Sequence, residues 1–199
     1  MNKRTSFQVR DNGELTIDTE AAEKLISGYF IVFNSETELY DRVFEEVAPE
    51  ALTGVDLSDV KALVDHDTSK VLGRTKSSTL SLSVDEKGLY GEIRVNEHDQ
   101  EALNLYSRVI RGDVDQCSFG FDILNEEMIQ NSDGSVKFII KSIKLYEVSV
   151  VTFPAYQDTA VEARSKQIES AQKKSLEKRK SKLEEKLHGI KTTYFKKED

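Results

Sequence analysis

The chain has 199 residues, of which 38% are hydrophobic and 32% charged, with a formal net charge of -8. This length accommodates one domain of ordinary size with an appendage, and the composition is typical of a globular protein with a sizeable core. No apolar stretch approaches the roughly 20 residues that a membrane-spanning helix needs. The N-terminal residues lack the apolar core of a secretory signal. We therefore expect a cytoplasmic protein with no membrane partner.

Charge is unevenly distributed along the chain. Residues 164–199 contain 12 Lys/Arg and 6 Asp/Glu, a net of +6, which leaves 16 Lys/Arg and 30 Asp/Glu, a net of -14, for residues 1–163. The acidic part has no basic stripe with interleaved aromatic residues, and this disfavours nucleic-acid binding by the folded domain. The basic tail remains a candidate for such binding.

The acidic part predicts strands separated by turns. Apolar runs rich in β-branched and aromatic residues predict strands at residues 28–34, 43–47 and 60–64. Strict alternation of apolar and polar residues predicts a hairpin that joins residues 79–84 to residues 89–95.

One amphipathic helix follows this hairpin. Apolar residues recur at helical spacing over residues 99–111, and Gly112 is suited to end the helix. A strand through Ser118 comes next, and the turn at residues 131–134 leads into a long strand over residues 136–153. The sequence thus predicts a mainly β domain with flanking helices, an α+β fold.

Three segments are expected along the chain. Residues 1–24 form a loose N-terminal arm, residues 25–163 the folded domain, and residues 164–199 the basic tail. The tail has no proline and carries a thin stripe of apolar residues at helical spacing. A solvated helix, a coiled-coil segment and a disordered tail all remain open, and we favour a helix that needs a partner for stability.

Ser118, His66 and Glu147 are the candidate catalytic residues, because acyl transfer needs a nucleophile, a base and a carboxylate. Ser118 shares one face of its predicted strand with Gly120, opposite an apolar face. A glycine beside the serine leaves backbone exposed where a substrate carbonyl could approach. An isolated serine is more often an ordinary surface residue, so Ser118 depends on its context.

His66 is the preferred base among the three histidines of the chain. It follows the third predicted strand between Asp65 and Asp67, whose negative charges favour the imidazolium and which are also rivals for the orienting carboxylate. His98 lies in a turn-like polar stretch and His188 in the tail. Both have simpler explanations than catalysis.

Glu147 interrupts the apolar run of residues 143–151. A carboxylate in an apolar strand is costly unless it is paired or hydrogen-bonded, so Glu147 should face a partner. A structural partner such as Arg74 or Arg94 and a functional partner, the second ring nitrogen of His66, are about equally supported.

Two other chemical schemes are weaker. Cys117 is a rival nucleophile, but it shares the apolar face of its strand with aromatic residues, and apolar burial raises the pKa of a thiol. A metal site at His66, Asp65, Asp67 and Glu147 would have one histidine and no spaced second histidine. The single cysteine also excludes an internal disulfide and a thiolate zinc cluster. We expect neither a metal nor a cofactor.

Ordered landmarks over about residues 27–164 resemble the prohead maturation proteases of tailed bacteriophages, a family of capsid-assembly serine proteases. Each landmark is weak alone, and their joint order and spacing carry the resemblance. The landmarks are Gly28-Tyr29, Phe33-Asn34, Phe44-Glu45-Glu46, Pro49-Glu50-Ala51-Leu52, His66-Asp67, Leu72-Gly73-Arg74-Thr75, Gly88-Leu89, Gly112-Asp113-Val114, Ser118-Phe119-Gly120-Phe121, Glu147-Val148-Ser149 and Thr152-Phe153-Pro154-Ala155-Tyr156.

The resemblance implies a fold similar to that of herpesvirus assembly proteases, a mostly antiparallel β-barrel ringed by helices. It identifies His66 with the family's catalytic histidine and Ser118 with its nucleophile. Glu147 is our assignment for the third member, with Asp65 or Asp67 as alternatives. This order of histidine, serine and carboxylate differs from those of chymotrypsin, subtilisin and the α/β-hydrolases.

The resemblance also implies a function, a serine endopeptidase of phage or prophage origin that matures the head. Its substrates would be the major capsid protein precursor, the scaffold and the protease itself, cleaved inside the assembling prohead in the host bacterial cytoplasm. The tail would bind scaffold during co-assembly, although a solvated extension explains it equally well. A non-enzymatic scaffold or capsid-assembly chaperone is the alternative, and the intact trio argues against it. Oligomeric state stays open.

Overall fold

The computed structural model describes residues 4–6, 15, 23–153, 167–168, 170, 173–174 and 176–184. Contacts within the chain divide it into two units, Met1–Gln157 and Asp158–Asp199. The predicted segment boundaries after residues 24 and 163 stay predictions. Where the structure describes the second unit, the backbone is helical. No helix in the described part of the chain is both long and apolar enough to cross a membrane.

The described residues of the first unit are mainly β. Helix α1 spans Gln100–Arg111, and short 3-10 helices lie at Pro49–Leu52 and Thr75–Ser77. The combination of strands and helices confirms the predicted α+β class. The strands are β1 (Arg4–Ser6), β2 (Leu25–Val32), β3 (Thr37–Tyr40), β4 (Val43–Val47), β5 (Lys61–Val64), β6 (Asp67–Arg74), β7 (Leu80–Val84), β8 (Gly88–Arg94), β9 (Gln116–Gln130) and β10 (Val136–Val151).

The strands form two sheets. The larger has seven strands in the order β1-β9-β10-β4-β3, with β5 also paired to β10 and β6 paired to β5. The smaller has the order β2-β8-β7 and contains the predicted hairpin. Strand β10 is 16 residues long, so one of its edges holds two strands in succession. Residues 136–140 pair with β4 and residues 147–150 with β5, both in parallel, while β9 lies along the other edge.

A closed antiparallel barrel, predicted from the resemblance, is not found among the described strands. A barrel requires its first and last strands to pair, whereas β1 and β3 lie at opposite ends of the strand order. The larger sheet is also mixed, because β10 pairs in parallel with two strands. The predicted likeness to herpesvirus assembly proteases remains a prediction.

Helix α1 has the start and the end that the sequence predicts. The carboxylate of Asp99 accepts hydrogen bonds from the first-turn backbone amides, and Gly112 ends the helix with a left-handed φ of 81°. Leu105 and Tyr106 are buried on its inner face and belong to the same hydrophobic core as Phe119 of β9. The helix therefore packs against the framework that carries the candidate nucleophile.

Candidate active site

Three adjacent strands supply the candidate catalytic residues. Ser118 is the third residue of β9, Glu147 lies in β10, and His66 lies two residues after the end of β5. Strand β10 is paired to β9 on one edge and to β5 on the other over this stretch. The sheet thus brings together side chains that are 52 and 81 positions apart in the sequence.

A two-residue turn places His66. The last residue of β5 pairs with the first residue of β6, so Asp65 and His66 form the turn, with φ of 47° and 58°. Positive φ at both central positions suits tight hairpins, and aspartate and histidine tolerate it better than most residues. The backbone N–H of Asp65 donates to the Val150 carbonyl (3.0 Å), and its Oδ1 accepts from the Thr152 N–H (2.7 Å). These bonds fix the turn to the end of β10.

The imidazole of His66 contacts both other candidates. Its Nδ1 lies 2.7 Å from Glu147 Oε1, and its Nε2 lies 2.9 Å from Ser118 Oγ. The side chains of His66 and Glu147 are 15% and 14% exposed, and Ser118 is 0% exposed. With the ring proton on Nδ1, the imidazole donates to the carboxylate and accepts from the serine hydroxyl. This arrangement can pass the hydroxyl proton to Nε2 while the carboxylate stabilises the resulting imidazolium.

A β-bulge at Tyr146 turns Glu147 out of the core. Leu145 and Glu147 pair with consecutive residues of β9, so Tyr146 between them is the extra residue. In a regular strand Leu145 and Glu147, two positions apart, would point to the same face. Because of the bulge, Leu145 packs in the core while Glu147 points to His66. The bulge explains how a carboxylate fits within an otherwise apolar run.

Side-chain contacts of Tyr146 tie this bulge to the neighbouring strand. The Tyr146 hydroxyl donates to Asp122 Oδ2 on β9 at 2.6 Å. The ammonium group of Lys144 lies 4.8 Å from the centre of the Tyr146 ring, within the range of a cation–π contact. Both contacts favour the bulged conformation next to Glu147.

Gly120 makes room for the carboxylate of Glu147. The two residues are paired across β9 and β10. A Cβ atom added at Gly120 would overlap Glu147 Oε1 and lie 3.0 Å from its Cγ and Cδ. From the sequence, Gly120 is instead expected to expose backbone to a substrate. Gly120 is buried, and the space over it is filled by Glu147.

The two arginines considered as structural partners of Glu147 pair elsewhere. Arg74 forms a two-pronged ion pair with Asp59, in which Nη2 lies 2.8 Å from Oδ2. Hydrogen bonds from Arg74 and from a neighbouring lysine hold the pKa of Asp59 well below its usual range. Arg94 pairs with Glu23 at 2.8 Å. Neither arginine is therefore the partner of Glu147, whose Oε1 lies 2.7 Å from His66 Nδ1.

The rival carboxylates have structural partners of their own. Asp65 accepts from the backbone of Thr152, as described above, and Asp67 accepts from both the backbone N–H (2.9 Å) and the hydroxyl (2.6 Å) of Ser69. These hydrogen bonds lower the pKa of Asp67. Neither aspartate takes the position at Nδ1 of the imidazole that Glu147 occupies.

Cys117 lies in the core, as predicted. It is 6% exposed and faces away from Ser118, since successive side chains of a strand point to opposite faces. Burial, with a smaller contribution from Asp115, raises the pKa of the Cys117 thiol to about 12. A thiol in this state is a poor nucleophile at neutral pH. In the described part of the chain, no three His, Cys, Asp or Glu residues are grouped so as to hold a metal ion.

Sequence reasoning missed one residue of the site, Ser149. Its hydroxyl donates to Glu147 Oε2 at 2.6 Å, and the residue is 0% exposed. The signal was present in the sequence, because residues 147 and 149 alternate with the core residues Val148 and Val150 and therefore share a face. Only the register across β9 and β10 shows that this face is the one that carries Ser118.

Comparison with known proteins places the chain among phage enzymes. The sequence model described as "Caudovirus prohead serine protease" matches residues 8–174. The prohead protease of Escherichia phage T5 is 35% identical over 97 residues, which are 49% of this chain and 42% of that protein. The prohead protease of Enterobacteria phage HK97 is 25% identical over 154 residues, which are 77% of this chain and 65% of that protein.

The matched segments span 42% and 65% of the lengths of these two relatives. No solved structure matches it. The family match extends over most of the chain and includes the strands that carry Ser118, Glu147 and the turn that carries His66. The chain belongs to the caudovirus prohead serine proteases.

Proposed function

We propose that the chain is a serine endopeptidase of phage head maturation that cleaves the capsid precursor, the scaffold and itself inside the prohead. The hydrogen-bonded series Ser118–His66–Glu147 carries the proposal, because it presents a hydroxyl, an imidazole and a carboxylate in the order that acyl transfer uses. The relatives from phages T5 and HK97 are named prohead proteases, which supports the setting.

In the proposed mechanism, Ser118 Oγ attacks the scissile carbonyl while its proton moves to His66 Nε2. Glu147 holds the Nδ1 proton and stabilises the imidazolium. When the tetrahedral intermediate collapses, the C–N bond breaks and His66 protonates the leaving amine. Water then attacks the acyl-enzyme by the same route in reverse and releases Ser118.

The oxyanion of the intermediate needs preorganised hydrogen-bond donors. The sequence does not identify these donors, and we consider two candidates, a water held by Arg74 and a backbone amide near a glycine. The guanidinium of Arg74 is engaged by both carboxylate oxygens of Asp59, which leaves it fewer donors for such a water. We therefore favour a backbone N–H.

Substrate access is part of the proposal. Ser118 is 0% exposed, so a peptide carbonyl reaches its Oγ only after a neighbouring group has moved aside. Such a requirement suits a protease that has to remain inactive until its substrates are assembled around it. We propose that a local movement next to Ser118 admits a peptide, or a small probe, to its Oγ.

The tail is proposed to act in recruitment. Residues 164–199 carry a net charge of +6, whereas residues 1–163 carry -14. A positive charge of this size favours association of the tail with an acidic partner. The scaffold is the partner that we propose.

Co-expression with the capsid protein precursor of the same phage tests this function. We expect the parent chain to process the precursor, and Ser118→Ala and His66→Ala to leave it intact. The fold of both variants is checked by circular dichroism. Equal processing by all three chains would overturn the catalytic assignment. Assembly of precursor shells that depends on the chain but not on Ser118 would favour the non-enzymatic scaffold or chaperone.

A further inference from the structure

We propose that Ser149 is a positioning residue, which acts on the reaction through Glu147 and does not touch the substrate. This inference rests on the proposed function. Each oxygen of the Glu147 carboxylate has a partner among the described residues. Oε1 lies 2.7 Å from His66 Nδ1, and Oε2 accepts the Ser149 hydroxyl at 2.6 Å.

Two hydrogen bonds fix the plane of the Glu147 carboxylate, which a single hydrogen bond would leave free to rotate. The last torsion of a glutamate side chain is broad and roughly two-fold, so a single bond at Oε1 allows the carboxylate plane to rotate. The bond from Ser149 to Oε2 fixes that plane with Oε1 directed at the imidazole. The hydrogen bond joins a hydroxyl to a charged group, which makes it one of the stronger kinds in proteins.

Ser149 is well placed to hold Glu147 rigidly. It lies in β10, in register with Ser118 on β9 and with Leu63 on β5, so both of its strand neighbours are fixed. The residue is 0% exposed, which removes competition from water for its hydroxyl proton. Because Gly120 has no side chain, the carboxylate fits over β9 without being pushed from this position.

Ser135 provides a matched control in the same chain. It is also buried, at 6% exposure, and its hydroxyl donates at 2.8 Å to Asp133, a carboxylate two residues earlier. The pair lies in the turn between β9 and β10, away from the candidate site. Ser135→Ala therefore removes a hydroxyl-to-carboxylate hydrogen bond with the same spacing as Ser149→Ala, but without contact to Glu147. It also removes a hydrogen bond that the Ser135 hydroxyl accepts from the Asn131 amide.

The test is the rate at which a small fluorophosphonate labels the purified full-length protein. In this reaction Ser118 Oγ bonds to phosphorus, fluoride leaves, and the hydroxyl proton passes to His66. We expect Ser149→Ala to slow labelling by about 10- to 100-fold, the loss of one hydrogen bond to a charged group. We expect Ser135→Ala to label at the parent rate and Ser118→Ala not to label.

A second pair of variants separates positioning from general support of the fold. If Ser149 acts through Glu147, then Ser149→Ala has no further effect on the labelling rate when Glu147 is already replaced by alanine. A slowing of equal size in both backgrounds would assign Ser149 a structural role and overturn the inference. Failure of Ser149→Ala to fold, while Ser135→Ala folds, would do the same.

The outcomes also distinguish this inference from the proposed function. Parent-like labelling of Ser149→Ala, with none of Ser118→Ala, overturns the role of Ser149 alone. Parent-like labelling of Ser118→Ala overturns the proposed nucleophile itself.

Discussion

Gly120 and Glu147 are paired across β9 and β10, and the carboxylate of Glu147 fills the space that a side chain at position 120 would need. The absence of a side chain at Gly120 thus provides the space in which the carboxylate lies. The glycine two residues after Ser118 is therefore explained by the space that the Glu147 side chain needs.

Gly120→Ala is expected to displace Glu147 from His66. The added Cβ would overlap the carboxylate, so the side chain has to move or the strands have to separate. Overpacking of this kind costs typically about 1–3 kcal/mol of folding stability. We expect Ser118 labelling to slow at least tenfold, roughly the effect of 1.4 kcal/mol on a barrier. Denaturant unfolding and fluorophosphonate labelling measure the two effects separately.

Gly91→Ala is the matched control for this variant. A Cβ at Gly91 would lie 2.6 Å from the Phe30 ring and 2.9 Å from Leu82, so it also overpacks a buried position, but in the smaller sheet. We expect a comparable loss of stability with parent-like labelling. If both variants slow labelling equally, the effect of Gly120→Ala is global and the close fit to Glu147 is irrelevant to the chemistry.

Glu147→Gln is expected to depress activity by roughly 10³- to 10⁴-fold, as expected when a neutral amide replaces the carboxylate that orients a catalytic histidine. The amide is nearly isosteric, so the fold should persist. Asp65→Asn and Asp67→Asn are the comparison variants, because their carboxylates bond to Thr152 and Ser69. Processing of the capsid precursor measures all three. An active Glu147→Gln beside an inactive aspartate variant would transfer the third role to that aspartate.

The three candidate residues can be recognised from the sequence, whereas the features that hold them in position cannot. Ser118, His66 and Glu147 each stand out by residue type within a predicted strand or at its end. The role of Gly120 depends on which residue faces it across β10, and the bulge at Tyr146 depends on the same register. Register between distant strands is set by packing over the whole sheet, so one strand's pattern does not reveal it.

Pairing between distant strands also limits how much of the fold can be predicted from the sequence. The hairpin of β7 and β8 and helix α1 were predicted closely, because both are local and carry their own turn or cap signals. The two parallel neighbours of β10 were not predicted, since parallel pairing joins segments far apart in the chain.

Cys117 is expected to be inert in the folded protein. Its pKa is raised to about 12, so at pH 8 the folded protein holds the thiol in its protonated form, and the reactive thiolate is scarce. Iodoacetamide should therefore alkylate Cys117 slowly in buffer and rapidly in denaturant, as followed by intact mass. Cys117→Ala should still label at Ser118. Rapid alkylation of the folded chain, or loss of labelling in this variant, would restore the cysteine as a rival nucleophile.

Deletion of residues 165–199 is expected to lower the number of protease copies in purified proheads if the basic tail recruits the chain to the scaffold. The deletion removes most of the segment that carries the net charge of +6. Quantitative mass spectrometry of proheads formed with the parent and the truncated chain measures the copy number. Incorporation at the parent level would end the recruitment proposal.

Whether Ser118 is the nucleophile is tested most directly by locating the covalent adduct of a fluorophosphonate with tandem mass spectrometry. Two hydrogen bonds of His66, at 2.7 and 2.9 Å, define the proposed activation of Ser118. We expect a single modified residue, Ser118, in the parent chain and a greatly reduced yield of that adduct in His66→Ala. An adduct on another residue, or an equal yield on Ser118 without His66, would contradict this expectation.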